Sequence, residues 1–382
     1  MLRPGEDAGA ATASPEQRIV VQCARALVGA GPDPSVAAVL DADPDRLVPL
    51  AWAHGMLPYL SRRVVAAPEA SAHPSLAPLR AAFVENGIRA LNLTGELASV
   101  SALLAAAGVT ALAYKGPALA IQAYGEAALR DCGDLDLVVR KEQLAAAGAA
   151  LVASGFQDVS VSRAEHREAL LRRGHHLAFR RHGLLVELHW RFGKSVFGFT
   201  EEVSGLWGRA EEVEVRGGRV QVLSAPDHLL ALAIHSSKAM WSSLDGTVCM
   251  VRLARRVAPG AWPEVVERAR SWRCEEALRV SLVLGEQMLG AAYPRELAEH
   301  LPPTPAARRL AARVEAELFL DEFGGPSYLL GQLALRPRYR DRLRFALGAL
   351  LHAGASADDD APPRPGTGAL ARFLRVVRKY WR

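Results

Sequence analysis

The sequence predicts an α+β fold: a small mixed-sheet core flanked by N-terminal helices and a C-terminal helical domain. Three observations support this. The 382 residues are rich in Ala, Leu, Val and Arg and only 6% aromatic, a composition that favours helix over most of the length. Apolar residues recur at helical spacing on both sides of the centre. Between about residues 109 and 223 that period gives way to short apolar or alternating runs, punctuated by His182-Gly183 and Gly217-Gly218, which signal strands and hairpins. With 50% hydrophobic residues, the chain is long enough for two or three compact units.

Residues 1–15 are small, polar and Pro-containing, the composition of a disordered start. Residues 16–78 form an N-terminal helical segment, broken at Gly31-Pro32-Asp33-Pro34 and at Pro44. Within it, Leu47 to Arg63 carries a helical apolar face, and a Pro-rich connection from Pro68 to Pro78 closes the segment. Residues 79–223 form the α/β core. A long helix runs from Leu79 to Ala107, and Gly108 ends it. Val109 to Tyr114 reads as a short strand and Pro117 to Tyr124 as a helix with proline in its first turn. Leu135 to Val139 is a strand, Lys141 to Ser154 a helix and Gly155 to Val161 a further strand. His176 to Arg181 and Leu184 to Trp190 form a hairpin around His182-Gly183; Glu211 to Val215 and Arg219 to Leu223 form another around Gly217-Gly218. Residues 224–353 are a C-terminal helical domain, opened by the capping sequence Ser224-Ala225-Pro226-Asp227. Residues 354–367, with Asp358-Asp359-Asp360 and three prolines, are a linker, and 368–382 are a basic tail helix.

The tail holds Arg372, Arg375, Arg378, Lys379 and Arg382 and no acid, which accounts for the whole formal charge of +5. The body is therefore near neutral and lacks the basic track that a long nucleic acid requires. In the tail, Phe373, Leu374, Val377 and Trp381 make one helical face, which is expected to pack on its own domain with the arginines outward. Cys23, Cys132, Cys249 and Cys274 are far apart and form no C-x-x-C pair, so neither a disulfide framework nor a zinc knuckle is expected. The first residues lack the apolar core of a signal peptide, and no apolar run is long enough to span a bilayer. A cytoplasmic location is the expectation.

The chemistry concentrates in Tyr114 to Arg140. In Gly133-Asp134-Leu135-Asp136-Leu137-Val138-Val139, strand alternation places Asp134 and Asp136 on one face and Leu135, Leu137 and Val139 on the other. Two neighbouring carboxylates repel, and a divalent cation offsets that; Mg²⁺ prefers a few carboxylates plus phosphate oxygens. In Leu184 to Trp190, Glu187 interrupts an apolar strand, where a charge is costly unless paired, solvated or metal-bound, and His189 shares its face. Lys115-Gly116-Pro117 lies between a strand and a helix, where glycine admits a phosphate to the backbone and the helix N-terminus attracts anions.

The order of these pieces resembles the DNA polymerase beta-like nucleotidyltransferases. It is most similar to a bacterial group labelled the uncharacterised nucleotidyltransferase family. That group's K-G-x-A-L turn is matched by Lys115-Gly116-Pro117-Ala118-Leu119. Its R-x-x-G-D-x-D-L-L-V run is matched by Arg130-Asp131-Cys132-Gly133-Asp134-Leu135-Asp136-Leu137-Val138-Val139. Its paired histidines are matched by His175-His176, and its V-E-L-H-W by Val186-Glu187-Leu188-His189-Trp190. The likeness covers about residues 45 to 260. It departs in two places. The wider superfamily has Gly-Ser in the first turn where Pro117 follows Gly116, and Cys249 stands where the group often carries an aspartate on a helix near Thr247 to Leu253.

The resemblance implies a nucleotidyltransferase core and a Mg²⁺- or Mn²⁺-dependent, two-metal transfer of a nucleoside monophosphate from an NTP, with ATP the expected donor. The acceptor would be a hydroxyl or similar group of a small molecule, peptide or protein, and pyrophosphate would leave. Asp134, Asp136 and Glu187 would hold the metal, or Glu187 would act as base. Lys115, Gly116, Arg130 and Gly133 would face the nucleotide. His175, His176 and His189 would bind phosphate, orient Glu187 or contact the nucleobase. The alternative is an inactive nucleotide- or partner-binding module of the same fold. His235 and Lys238, at i and i+3 on a later helix, would either line the acceptor side or, as the preferred expectation, form a surface pair.

Overall fold

The computed structural model describes residues 13–71, 73–160, 164–320, 326–336 and 338–351. It is an α+β protein in which a seven-stranded mixed sheet lies among helices. The expected N-terminal disorder falls mainly on residues 1–12, and the linker and basic tail helix on 352–382; these lie outside the described residues.

Helix α1 (Pro15–Leu27) opens with a capping box: Ser14 accepts from the Gln17 N–H, Gln17 returns a side-chain oxygen to the Ser14 N–H, and Pro15 takes the first position. α2 (Val36–Asp41), α3 (Pro44–Ala53), α4 (Leu57–Ala66) and α5 (Pro68–Ser71) follow. The apolar face of Leu47 to Arg63 is thus split between α3 and α4. The break is at Gly55, where φ is +70° and a Cβ would lie 2.6 Å from the Asp245 Cβ, so only glycine fits. α6 (Ala77–Ala106) is the long helix, ended at Gly108 with φ +72°.

The strands are β1 (Leu112–Ala113), β2 (Asp134–Val138), β3 (Gln157–Asp158), β4 (His176–Arg181), β5 (Leu184–His189), β6 (Glu211–Val215) and β7 (Gly218–Val222), in the spatial order β3-β4-β5-β2-β1-β7-β6. β2 runs parallel to β5, and β1 runs parallel to β7 but antiparallel to β2. The hairpin β4–β5 turns at His182 (φ +46°) and Gly183 (φ +85°), the two left-handed residues that match strand twist. The second hairpin turns one residue earlier than its two glycines suggest, because Gly218 already pairs with Val215 as part of β7. α7 (Gly116–Tyr124) joins β1 to β2, and α8 (Leu144–Ala153) follows β2. α9 (Ala164–Arg173) lies between β3 and β4, where the sequence suggested no helix.

One sheet face is apolar. Leu135, Leu137, Val186, Leu188, Leu177 and Phe179 pack there with Leu93, Leu97, Val100 and Leu104, spaced as one stripe of α6, and with Leu144, Ala147 and Leu151 of α8. The chain then forms α10 (Ala225–Lys238), capped by Ser224 accepting from the Asp227 N–H, and α11 (Leu244–Ala254). α12 (Trp262–Ser271), α13 (Glu275–Leu289), α14 (Arg295–His300), α15 (Pro305–Glu317), α16 (Pro326–Ala334) and α17 (Tyr339–Leu351) complete it. α1, α3 and α4 share a core with α11, α13 and α15, so helices from both ends of the chain meet beside the sheet. Among the described residues, no helix is long and apolar enough to cross a membrane.

Candidate active site

The second face of β2, β5 and β4 is polar at its centre. Alternation sends Leu135 and Leu137 into the core and leaves Asp134 and Asp136 together opposite. The parallel register sets Asp136 beside Glu187, and the antiparallel register sets His176 beside His189. Five polar side chains of three strands therefore share one patch.

Asp136 is its centre and is only 3% exposed. Its Oδ1 accepts from Lys115 Nζ at 3.1 Å and lies 2.8 Å from His189 Nε2. His189 Nε2 is also 3.1 Å from Glu187 Oε2, and His176 Nε2 is 3.7 Å from Glu187 Oε1. Asp136 Oδ2 is buried with no hydrogen-bond partner among the described residues. Such an atom is costly to leave unsatisfied, and a cation satisfies it. One donor atom each from Asp136, Glu187 and His189 falls within 4.8 Å of the others. The donors present fit a divalent cation. Asp134 is half-buried on the same face but stands outside that closest set.

The turn before α7 completes the site. Lys115 has φ +59°, which is strained for a residue with a Cβ, and is held there from two sides. Its N–H donates to His228 Nε2 at 3.1 Å while its ammonium holds Asp136. Gly116 has φ +49°, and a Cβ there would meet the Asp134 carbonyl oxygen at 3.0 Å. The glycine thus lets the turn rest directly on β2. Gly133, by contrast, has open space where a Cβ would be, so no neighbour in the protein demands a glycine there.

Electrostatics separate the carboxylates. Burial, then the charge of Asp136, pushes Asp134 up to about 6. Burial opposes the charge on Asp136, but Lys115 and His189 more than offset it and hold the carboxyl well below its usual range. Glu187 is likewise lowered, burial being outweighed by the hydrogen bond and charge of His189. Burial pulls His228 down to about 3, so it is neutral. The Gln122 Nε2 donates to the Leu223 carbonyl, so Gln122 Oε1 accepts from His228 Nδ1–H, which frees His228 Nε2 to accept from Lys115.

Two residues differ from expectation. His235 and Lys238 are not a surface pair. Both are half-buried and lie within the field of Lys115 and Asp136. Lys238 Nζ donates to the Phe192 carbonyl at 2.8 Å, and burial pulls it down to about 7. The physical reason is that α10 is buried almost all round, leaving little surface for the pair. Arg130 is gripped by Asp245, with its Nε 3.0 Å and one terminal nitrogen 2.9 Å from the same Oδ2. Asp245 stands in the first turn of α11, one turn before Cys249, whose Sγ is 3.5 Å from its Oδ1. A carboxylate therefore stands on that helix, one turn before Cys249. Asp245 and His228 were not singled out from the sequence. The signals were a first-turn aspartate on α11 and a histidine next to the α10 cap.

A family profile described as "Uncharacterised nucleotidyltransferase" matches residues 41–290. The crystal structure of an antigenic nucleotidyltransferase-like protein from Paracoccidioides brasiliensis is similar at 17% identity and a TM-score of 0.32, covering 56% of this chain and 93% of that one. No curated protein matches. The family profile spans well over half of the chain and takes in the Lys115-Gly116 turn, Asp134, Asp136, Glu187 and the histidines, and the chain belongs to the uncharacterised nucleotidyltransferase family.

Proposed function

We propose that the chain is a Mg²⁺- or Mn²⁺-dependent nucleotidyltransferase with a polymerase beta-like core. It would move a nucleoside monophosphate from an NTP, with ATP the expected donor, to a hydroxyl or similar group of a small-molecule, peptide or protein acceptor. The observation that carries the reading is the pairing of Asp136 with Glu187 across parallel strands, with Asp134 on the same face and the Asp136 Oδ2 without a partner among the described residues. Two divalent cations bound there would neutralise the triphosphate and make the acceptor hydroxyl easier to ionise.

The protein's own groups have distinct tasks in this scheme. Asp134 and Asp136 would hold the cations. Lys115, whose ammonium holds Asp136, would face the departing pyrophosphate, while the turn at Gly116 would let phosphate approach the backbone. Glu187 would complete the metal set or receive the acceptor proton, and His189, 3.1 Å from its Oε2, would orient it for either task. Arg130, engaged by Asp245, would act on phosphate through its field. The near-neutral body suits a compact acceptor better than a long nucleic acid.

A catalytically inactive nucleotide-binding module is the second reading. It is favoured by Pro117, which has neither the N–H nor the hydroxyl that a serine would offer to a phosphate. Pyrophosphate release with each NTP and Mg²⁺, in the presence of host extract, separates the two. The enzyme reading predicts release that falls at least about a hundredfold in Asp136→Asn and in Glu187→Gln. Metal-dependent NTP binding without release would favour the inactive module, and no NTP binding would defeat both.

A further inference from the structure

Beside the carboxylates lies a donor set of different chemistry. His175 and His176 lead into β4, and His189 ends β5. Their backbone is fixed: His176 pairs with His189, and the Trp190 N–H donates to the His175 carbonyl at 3.0 Å. The three ring centroids are 4.5, 5.1 and 5.7 Å apart. A donor nitrogen from each ring falls within 4.8 Å of the other two. His175 Nε2 and His176 Nδ1 are 3.4 Å apart. Two nitrogen ligands on one tetrahedral ion, at the usual bond length of about 2.0–2.1 Å, are separated by about 3.3 Å. His189 is 1% exposed, and its Nδ1 has no hydrogen-bond partner among the described residues.

We propose that His175, His176 and His189 hold a borderline divalent transition-metal ion of the Zn²⁺ class, in a site adjoining that of the oxygen-bound Mg²⁺. Imidazole suits Zn²⁺, Co²⁺, Ni²⁺ and Fe²⁺, whereas Mg²⁺ takes oxygen ligands and keeps water. The two donor sets therefore sort two kinds of ion. The sets meet at His189, whose Nε2 is 2.8 Å from Asp136 Oδ1, and at Glu187, which is 3.7 Å from His176 Nε2. The imidazoles alone define this second site, and its occupancy does not require nucleotide turnover.

The test is a Co²⁺ titration of the full chain, stripped of metal, in the presence of a large excess of Mg²⁺. Bound Co²⁺ is read by equilibrium dialysis and by its visible d–d absorption, which reports nitrogen ligation. The expected result is one Co²⁺ per chain that resists Mg²⁺, shows an intense low-coordinate band and is displaced by Zn²⁺. His175→Ala combined with His176→Ala should weaken it at least about a hundredfold, while Asp134→Ala should leave the band in place. Circular dichroism of the metal-free variants checks their fold. Complete displacement of Co²⁺ by Mg²⁺ in the wild-type chain would overturn the proposal without any variant. So would a band unchanged in the double histidine variant or in His175→Asn. Failure here leaves pyrophosphate release untouched, and failure of pyrophosphate release leaves the Co²⁺ site untouched.

Discussion

Replacing Asp134 with Asn is expected to stabilise the metal-free protein while removing its function. Burial and the neighbouring Asp136 raise the Asp134 carboxyl from 3.8 to about 6. A tenfold change in a protonation equilibrium is worth about 1.4 kcal/mol, so the ionised form is disfavoured by an upper limit of about 3 kcal/mol. Asp134 remains partly open to solvent, and screening reduces this to about 1–2 kcal/mol. The sign follows from proton linkage. The folded state binds this proton more tightly than the unfolded state, so the penalty is absent below about pH 4 and complete above about pH 6. The Asn variant carries no charge and escapes it. For 382 residues with an unfolding entropy of about 2 cal/mol/K each, the gain is a rise of about 1–3 °C in Tm. Thermal scans in chelator at about pH 8 and about pH 4 measure it: the variant should melt higher at the first pH and equal to wild type at the second. Saturating Mg²⁺ should raise the wild-type Tm and leave the variant nearly unchanged. A variant that melts lower than wild type at about pH 8 without metal, or a difference independent of pH, would refute the reasoning.

The same raised carboxyl governs cation affinity. Mg²⁺ binding, followed by calorimetry, should weaken about tenfold for each further drop of one in pH below about 6, because one proton competes for Asp134; a flat profile would exclude Asp134 from the cation set. Gly116→Ala should cost about 1–2 kcal/mol, since it forces a Cβ into φ +49° and against the Asp134 carbonyl; urea melts would show an unchanged midpoint if the turn were free to move. Asp245→Asn should cost about 2–4 kcal/mol by leaving the Arg130 guanidinium without its partner. Pairing it with Arg130→Met should recover part of that loss in a double-mutant cycle, and additive losses would mean that the two residues do not act together.

The strand alternation of β2 and β5 was legible because each strand mixes carboxylates with Leu and Val at period two, which fixes which side chains share a face. The hairpin at His182-Gly183 was legible from its turn residues. Registers across distant segments were not. Nothing in the spacing of Asp136 and Glu187 shows that they face each other, because that pairing depends on β2 and β5 lying parallel after a long excursion through β3, α9 and β4. α9 escaped notice because Ala164–Arg173 is dominated by charged residues and offers only a short apolar signal at Leu170 and Leu171. Asp245 and Arg130 meet across 115 residues, a contact that local pattern cannot contain. His235 and Lys238 were misjudged because i, i+3 spacing says which residues share a helix face but not whether that face meets water. The shape of the polar patch was thus readable strand by strand, while the side chains that brace it from α10 and α11 required the tertiary fold.

The most direct measurement of nucleotidyl transfer uses two samples of ATP, labelled on the α- or on the γ-phosphate, incubated with the full chain, Mg²⁺ and extract of its host. Transfer of the α-label to an acceptor, with the γ-label released as pyrophosphate and both events lost in Asp136→Ala, is the predicted result. Transfer of the γ-label to the acceptor, or α-label transfer that persists in Asp136→Ala, would contradict it.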